Sequence, residues 1–131
     1  MKKFIVLFLL FFSLILSSNN YASDVYYCSD SAITGFDPKE NFKLKNYEEG
    51  KFKILIDFEN KNVFSNDIWM GKNSVIRCVF DNIIETLYCI SDFGTAFSIN
   101  EKNLKFRRGV IYNQVNQGDD ITIAYGTCDK F

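Results

Sequence analysis

The stretch KFKILIDFE, residues Lys51 to Glu59, decides the fold class because its apolar side chains recur at every second position. Four of them share one face of an extended chain: Phe52, Ile54, Ile56 and Phe58. Charged residues occupy most of the other face, and only Leu55 departs from the alternation. Period-two alternation predicts a β-strand with one buried and one wet face.

Six further stretches have the length and composition of short strands. They are Asp24–Cys28, Ser74–Phe80, Thr86–Ser91, Thr95–Ile99, Leu104–Tyr112 and Ile121–Cys128. Polar turn-forming clusters lie between most of them, for example at residues 116–119. This spacing predicts an all-β fold, a small antiparallel barrel or sandwich of about seven to eight strands. We favour a barrel, with Gly109 marking a bulge or bend.

Residues 1–22 have the pattern of an export signal. Lys2 and Lys3 supply positive charge, residues 4–16 are apolar except for Ser13, and a polar segment ends at Ala22. The apolar run is shorter than the about 20 residues that a spanning helix needs. We expect cleavage after Ala22, one β domain at residues 23–131, no membrane span after cleavage, and a periplasmic or secreted location.

The charge balance restricts the partners of the mature chain. Removing Lys2 and Lys3 from fifteen basic residues leaves thirteen against sixteen acidic ones, a net charge of about −3. The largest basic cluster is the pair Arg107-Arg108. Nucleic-acid partners usually require a basic face, and anionic lipid requires a basic cluster, so we expect neither.

The four cysteines indicate a disulfide framework, as is usual for an even count in a small exported domain. A structural zinc site would need four scattered thiolates in an oxidising compartment, and the chain has no His and no Cys-x-x-Cys pair. We therefore expect no metal.

Cys78 and Cys89 fit an antiparallel hairpin. In that register Phe80 lies opposite Leu87, so all four side chains share one apolar face, and Asn82–Glu85 forms the loop. The loop could instead hold a single helical turn, because Asn82 and Glu85 resemble a capping pair. Cys28 and Cys128 then pair by elimination, joining the first and last strands as closure of a barrel would require.

The absence of His excludes the Ser-His-Asp and Cys-His arrangements and His-ligated catalytic metals. The carboxylate pairs Glu48-Glu49 and Asp119-Asp120 lie in polar turns, where acidic side chains are normally solvated. The second pair, with Asn116 and Gly118, does not have the spacing of a defined calcium loop. We expect no catalytic residue, no cofactor and no enzymatic activity.

Two groups of residues allow a functional and a structural interpretation. Arg107 and Arg108 should point to opposite faces of a strand, so one could approach the interior, although a surface charge is the expected role. Ile68, Trp69 and Met70 lie in a polar loop between Phe64 and Ser74 and form a possible partner contact. The alternative, which we favour, is that Trp69 plugs an open end of the barrel.

The chain resembles a group of short exported bacterial proteins of no assigned function. The resemblance rests on the opening Tyr26-Tyr27-Cys28, on Gly35-Phe36, on the alternating strand from Phe52 to Phe58 and on the ending Tyr125–Phe131. In plan it is also distantly similar to the membrane-bound inhibitors of C-type lysozyme, which form small disulfide-closed barrels. The lipid-attached Cys and the Ser-Gly-x-x-Tyr segment of those inhibitors are missing here.

These observations favour a non-enzymatic binding module for another envelope or extracellular macromolecule, either an exported protein or an envelope polymer. Alternatives are a carrier of a small apolar ligand inside the barrel, a lysozyme-inhibitor-like protein and a structural component of the envelope. A catalytic role ranks last.

Overall fold

The computed structural model describes residues 23–65, 74–92, 94–110 and 121–131. Within these residues the chain forms nine strands, and a short 3-10 helix, Pro38–Glu40, follows the first. The strands are β1 (Asp24–Asp37), β2 (Lys43–Tyr47), β3 (Lys51–Asp57), β4 (Asn62–Ser65), β5 (Ser74–Asp81), β6 (Thr86–Ile90), β7 (Thr95–Asn100), β8 (Lys105–Val110) and β9 (Ile121–Lys130). The described residues contain no α-helix. The all-β prediction is confirmed.

Eight of the strands close into an antiparallel barrel. The sheet order is β2-β1-β3-β4-β5-β6-β7-β8-β9, and β1 also pairs with β9, which closes the sheet. Strand β2 is an extra strand that pairs with β1 outside the closed ring. The predicted small barrel is therefore confirmed.

Strand β1 pairs with different neighbours along its length. Residues 24–29 pair with β3, residues 33–37 pair with β2, and β9 pairs with both parts. Ser31 has no partner on β9, because the register passes from Asp30–Gly126 to Ala32–Tyr125. This bulge changes which side chains point inward. Tyr26, Cys28 and Asp30 are buried before the bulge, whereas Gly35 and Asp37 are buried beyond it.

Apolar side chains fill the barrel interior. Thirteen buried residues form one cluster: Tyr26, Cys28, Phe52, Ile54, Ile56, Val63, Ile76, Leu87, Cys89, Phe97, Ile99, Phe106 and Cys128. The Phe106 ring packs edge-on against Phe52, with centroids 5.2 Å apart, and stacks on Phe97 at 5.9 Å. The inward face predicted for β3 is confirmed for Phe52, Ile54 and Ile56, which are at most 9% exposed.

Both predicted disulfides are confirmed. Cys28 is bonded to Cys128 and Cys78 to Cys89, with S–S distances of 2.01 Å. Each bond joins residues that face each other on neighbouring strands. Cys28, Cys89 and Cys128 are buried, and Cys78 packs against the same core. The long bridge thus ties the two strands whose pairing closes the barrel, and it is consistent with an oxidising extracellular or periplasmic location.

The β5–β6 hairpin has the predicted register and loop. Phe80 lies opposite Leu87, and residues 82–85 form a hydrogen-bonded turn and not a helix. Asp81, one residue before the predicted capping pair, holds this turn, because its Oδ1 accepts a hydrogen bond from the Ile83 amide at 2.8 Å. Ile83 is 93% exposed at the tip.

Three sequence-based expectations were wrong or incomplete. Strand β2 was missed because four of its five residues are exposed and give no alternation. Strand β4 was missed because it is only four residues long, and it contains Phe64 and Ser65, which we had placed in a loop. Gly109 marks no bulge, since β8 keeps a continuous register with β7 and β9 through it. The bulge lies in β1, and the sequence gives no signal for it.

Candidate functional site

A row of outward-facing side chains crosses four neighbouring strands of the barrel. Tyr88 of β6 pairs with Ser98 of β7, Ser98 pairs with Arg107 of β8, and Arg107 pairs with Tyr125 of β9. The tyrosine side chains are 44% and 57% exposed. The antiparallel register therefore presents two aromatic rings with a hydroxyl and a guanidinium between them.

This row lies in a groove that encloses about 860 Å³. We call it the β6–β9 groove. It is lined by Ser31, Ile84, Thr86, Tyr88, Ser98, Asn100, Asn103, Lys105, Phe106, Arg107, Ile123, Ala124, Tyr125, Gly126 and Thr127. Ligand sites in proteins commonly have volumes of about 300 to 1,000 Å³, so the groove is large enough for a ligand of several rings.

Asn100 fixes one end of the β6–β9 groove. Its Nδ2 donates to the carbonyl of Ile84 at 2.8 Å, and its Oδ1 accepts from the amides of Lys102 and Asn103 at 3.1 and 3.0 Å. The Thr86 hydroxyl donates to the same Ile84 carbonyl at 3.0 Å. These bonds hold the β5–β6 and β7–β8 turns together, so Asn100 and Thr86 shape the groove.

The backbone of β9 lies close to the Phe106 ring at the bottom of the groove. A Cβ atom at Gly126 would overlap the backbone of Ser29 and would lie 2.8 Å from the Phe106 ring. Only glycine allows this close approach of the strand to the ring beneath it. Phe106 therefore supports the groove from inside the barrel.

The charges that line the β6–β9 groove have one sign. Lys105 and Arg107 contribute two cations, and the described residues that line the groove include no Asp or Glu. Neither cation has an ion-pair partner among the described residues, whereas four other lysines pair with carboxylates. The chain as a whole is slightly acidic. The groove is thus a local basic site.

A buried ion pair lies inside the barrel beneath Arg107. Asp30 receives two hydrogen bonds from Arg108, from Nε at 3.2 Å and from Nη2 at 2.7 Å. The Gly50 amide donates to the same carboxylate at 3.1 Å. The Arg108 side chain is 12% exposed and that of Asp30 is fully buried. The two arginines do point to opposite faces, but the expected surface role is wrong for Arg108, since only Arg107 is exposed.

The β1 bulge explains why this pair can form. It leaves Asp30 at the last inward position before the alternation changes, with its amide bonded to the Gly50 carbonyl at 2.9 Å. The guanidinium carbon of Arg108 lies 5.6 Å from the centre of the Phe52 ring. The aromatic face and the carboxylate together compensate for the loss of water around the cation.

A smaller cavity of about 370 Å³ lies at one end of the barrel. Burial raises the pKa of Tyr26 in its wall, and the neighbouring Asp24 carboxylate accepts an ion-pair contact from Lys130 at 2.5 Å. Asp57 also lines the cavity, and the backbone and side-chain hydrogen bonds from Asn60 lower the pKa of its carboxyl group. Asp24 is thus paired with Lys130, and Asp57 is bonded to the turn at Asn60.

The remaining predicted site residues fall in two classes. Glu48 and Glu49 are exposed between β2 and β3, as expected of solvated carboxylates. Ile68, Trp69 and Met70, together with Asp119-Asp120, lie outside the described residues, so their roles stay predictions.

Within the described ranges, no three His, Cys, Asp or Glu side chains are grouped so that they could hold a metal ion. No helix in the same part of the chain has the length and hydrophobicity to cross a membrane.

Comparison with protein-family profiles, with curated proteins and with solved structures found no match. Function must therefore be argued from the site itself.

Sequence reasoning missed the β6–β9 groove. The alternation in β6 and β9 does predict that Tyr88 and Tyr125 point outward. To place them in one row, however, the β6–β7, β7–β8 and β8–β9 registers must be known. None of these could be derived from the sequence, because the hairpin cysteines mark only the β5–β6 register. The residue pattern therefore predicts that both rings are exposed, but it does not predict that they lie in one row.

Proposed function

We propose that this chain is an exported, non-enzymatic binding module that contacts another envelope or extracellular macromolecule through the β6–β9 groove. The observation that carries the proposal is the aligned row Tyr88, Ser98, Arg107 and Tyr125. Exposed tyrosines supply large, rigid contact area at low entropic cost, and Arg adds a directional donor.

The rigidity of the scaffold supports this proposal. Each of β6, β7, β8 and β9 is hydrogen-bonded to a neighbour on both sides. The Cys78–Cys89 bond lies beneath the first of these strands, and the Cys28–Cys128 bond lies beneath the last. A preformed surface loses little conformational entropy on binding, which favours recognition by an outer face.

The packed interior favours the outer face over an internal ligand site. Ile54, Val63, Leu87 and Ile99 are 0% exposed, so these side chains border no space that admits water. A carrier of an apolar ligand needs an open cavity among such residues. This alternative therefore ranks below binding at the groove.

Two features support a role without catalysis. The chain has no His, and Asp30, the most buried carboxylate among the described residues, is neutralised by Arg108 at hydrogen-bond distance. Both oxygens of that carboxylate are engaged in hydrogen bonds from Arg108 and the Gly50 amide, so they are not available to a substrate. Its location inside the barrel also keeps it from a macromolecular substrate.

Retention of envelope and culture macromolecules on the immobilised protein tests the proposal. The protein is purified in its exported, oxidised form, and the fractions that it retains are compared between variants. We expect the double variant Tyr88→Ala, Tyr125→Ala to lose retention.

Tyr27→Ala is the matched control. Tyr27 is 51% exposed but does not line the groove, so this variant should retain the same fractions as the unmodified chain. Equal retention by all three proteins, or no retention by any, would overturn the proposal.

A further inference from the structure

We infer that the β6–β9 groove binds an anionic polysaccharide, a glycan whose sugars carry carboxylate or phosphate groups. The inference rests on the proposed function, because it names the ligand class for the same groove. Three properties of the groove carry it: the spacing of its rings, its free polar groups and the sign of its charge.

The two aromatic rings are placed for a chain of linked sugars. Tyr88 and Tyr125 stand on strands three positions apart in the sheet. With a strand separation of about 4.8 Å, their backbones lie about 14 Å apart along the surface. Sugars present apolar C–H faces that pack on aromatic rings, so each tyrosine can take a different sugar of one chain.

Polar side chains between the rings are available to a ligand. Ser98, Arg107 and Thr127 make no side-chain hydrogen bond to any other described residue, and the ammonium of Lys105 has none either. Asn100 and Thr86 are already engaged with the turns. The groove thus has a rigid polar wall and a set of free donors, which suits the many hydroxyl groups of a glycan.

The charge of the groove selects the class of glycan. Lys105 and Arg107 lie on the same strand, two residues apart, so their side chains are on the same outer face. Among the residues that the structure describes, no carboxylate lines the groove to neutralise them. The two cations therefore attract an anion locally, within the Debye length of about 8 to 10 Å, although the chain as a whole is slightly acidic.

The backbone of the groove argues against a peptide ligand. Strands β6 to β9 all lie inside the closed sheet, so an extended peptide cannot add a strand there and must forgo the main-chain hydrogen bonds that usually give such complexes affinity. A glycan needs none of these bonds, because its hydroxyls are bound by side chains. Single-stranded nucleic acid also stacks on aromatic rings beside cations, so oligo-dT is the competing polymer in the test below.

Affinity electrophoresis of the oxidised, exported protein tests this inference with defined polymers. The anionic probes are polygalacturonate, whose sugars carry carboxylates, and a phosphomannan, whose sugars carry phosphates. Fully methyl-esterified polygalacturonate is the neutral counterpart. We expect at least one anionic polymer to retard the protein and the esterified polymer not to. Which anion binds distinguishes the two sources of charge.

Variants locate the binding. Arg107→Gln should weaken the affinity about tenfold, as expected for the loss of one charge-assisted hydrogen bond. Tyr88→Ala combined with Tyr125→Ala should abolish the retardation. Tyr27→Ala combined with Lys53→Gln removes an exposed ring and an exposed cation outside the groove and should leave the affinity unchanged. Thermal unfolding of each variant verifies that the barrel is intact.

Several results would overturn the inference. They are equal retardation by charged and esterified polymers, no retardation by any, tighter binding of poly-glutamate or oligo-dT, and an equal loss in the control variant. If the polymers fail while retention of envelope fractions still depends on Tyr88 and Tyr125, the glycan assignment is wrong and the contact surface stands. If that retention fails as well, the proposed function is also wrong.

Discussion

Asp30 and Arg108 form a buried ion pair inside the barrel, next to its apolar core. Burying two charges is expensive, and mutual attraction compensates for it only when the geometry is good and the remaining polar atoms are bonded. Here the pair is bidentate and the Gly50 amide bonds the carboxylate. Each partner therefore depends on the other.

Removing one partner should destabilise the protein strongly. Arg108→Met leaves the Asp30 carboxylate buried without a counterion, so we expect the free energy of unfolding to fall by about 3 to 5 kcal/mol. Urea unfolding measures it. The neighbouring substitution Arg107→Met, on the exposed face, should change it by less than about 0.5 kcal/mol. Equal effects of the two substitutions would show that Arg108 is not buried against Asp30.

Asp57 should make stability depend on pH. The Asn60 hydrogen bonds lower its pKa below the value of 3.8 expected in the unfolded chain, so the folded state binds the proton less well. The stabilisation is fully present above pH of about 5 and decreases as the pH falls through the unfolded and then the folded pKa. Asp57→Asn should therefore destabilise the protein more at pH 6 than at pH 3, in matched urea titrations. A cost that does not vary with pH would refute this.

Residue-scale features were only partly accessible from the sequence. That Arg107 and Arg108 face opposite sides follows from strand geometry alone. Which of them is buried depends on Asp30, 78 positions earlier, and on the bulge that orients it. No local pattern reveals such a distant partner.

At the scale of elements, the bulge at Ser31 lets β1 pair with β3 along its first half and with β2 along its second half. The extra residue lets the strand bury Asp30 on one side of it and Gly35 and Asp37 on the other. Without the bulge, one half of β1 would exchange its buried and exposed side chains, because side chains alternate between the two faces of a strand.

Deleting Ser31 should therefore destabilise the fold, while replacing it should not. The deletion forces either the first or the second half of β1 to exchange its buried and exposed faces. We expect the chain to lose cooperative thermal unfolding or to unfold at a much lower temperature. Ser31→Ala keeps the residue count and should stay within about 0.5 kcal/mol of the unmodified chain. Equal unfolding of the deletion variant and the unmodified chain would contradict the role of the bulge.

The same reasoning explains which strands the sequence predicts. Strands β3, β5, β6, β7, β8 and β9 alternate or contain β-branched runs, and their predicted bounds agree with the structure within two residues at each described end. Strand β1 was predicted only to Cys28, since its alternation changes phase soon after. Strand β2 lies outside the closed ring and buries little, so the hydrophobic pattern that marks a strand is missing there.

At the scale of the whole molecule, the two disulfides have unequal roles. Cys28–Cys128 spans 100 positions and ties β1 to β9, whereas Cys78–Cys89 spans 11 within one hairpin. In the chain-entropy model the long bridge is worth about 4 to 5 kcal/mol and the short one about 3. Small domains have a total stability of only about 5 to 15 kcal/mol.

Replacing each pair of cysteines by alanine should expose this difference. We expect the variant without Cys28 and Cys128 to lose more stability than the variant without Cys78 and Cys89, in urea unfolding of the exported proteins. The order should hold at equal protein concentration and without reductant. A larger loss from the hairpin pair would mean that closure of the barrel depends little on the long bridge.

The measurement that tests the central claim most directly is chemical-shift mapping of the ¹⁵N-labelled, oxidised protein with the macromolecular fraction that it retains. If the outer face of β6–β9 is the contact surface, the amide signals of Tyr88, Ser98, Arg107 and Tyr125 change together while those of β3 stay fixed. Changes concentrated instead at Ile68, Trp69 and Met70, or spread over β3 to β5, would contradict the claim.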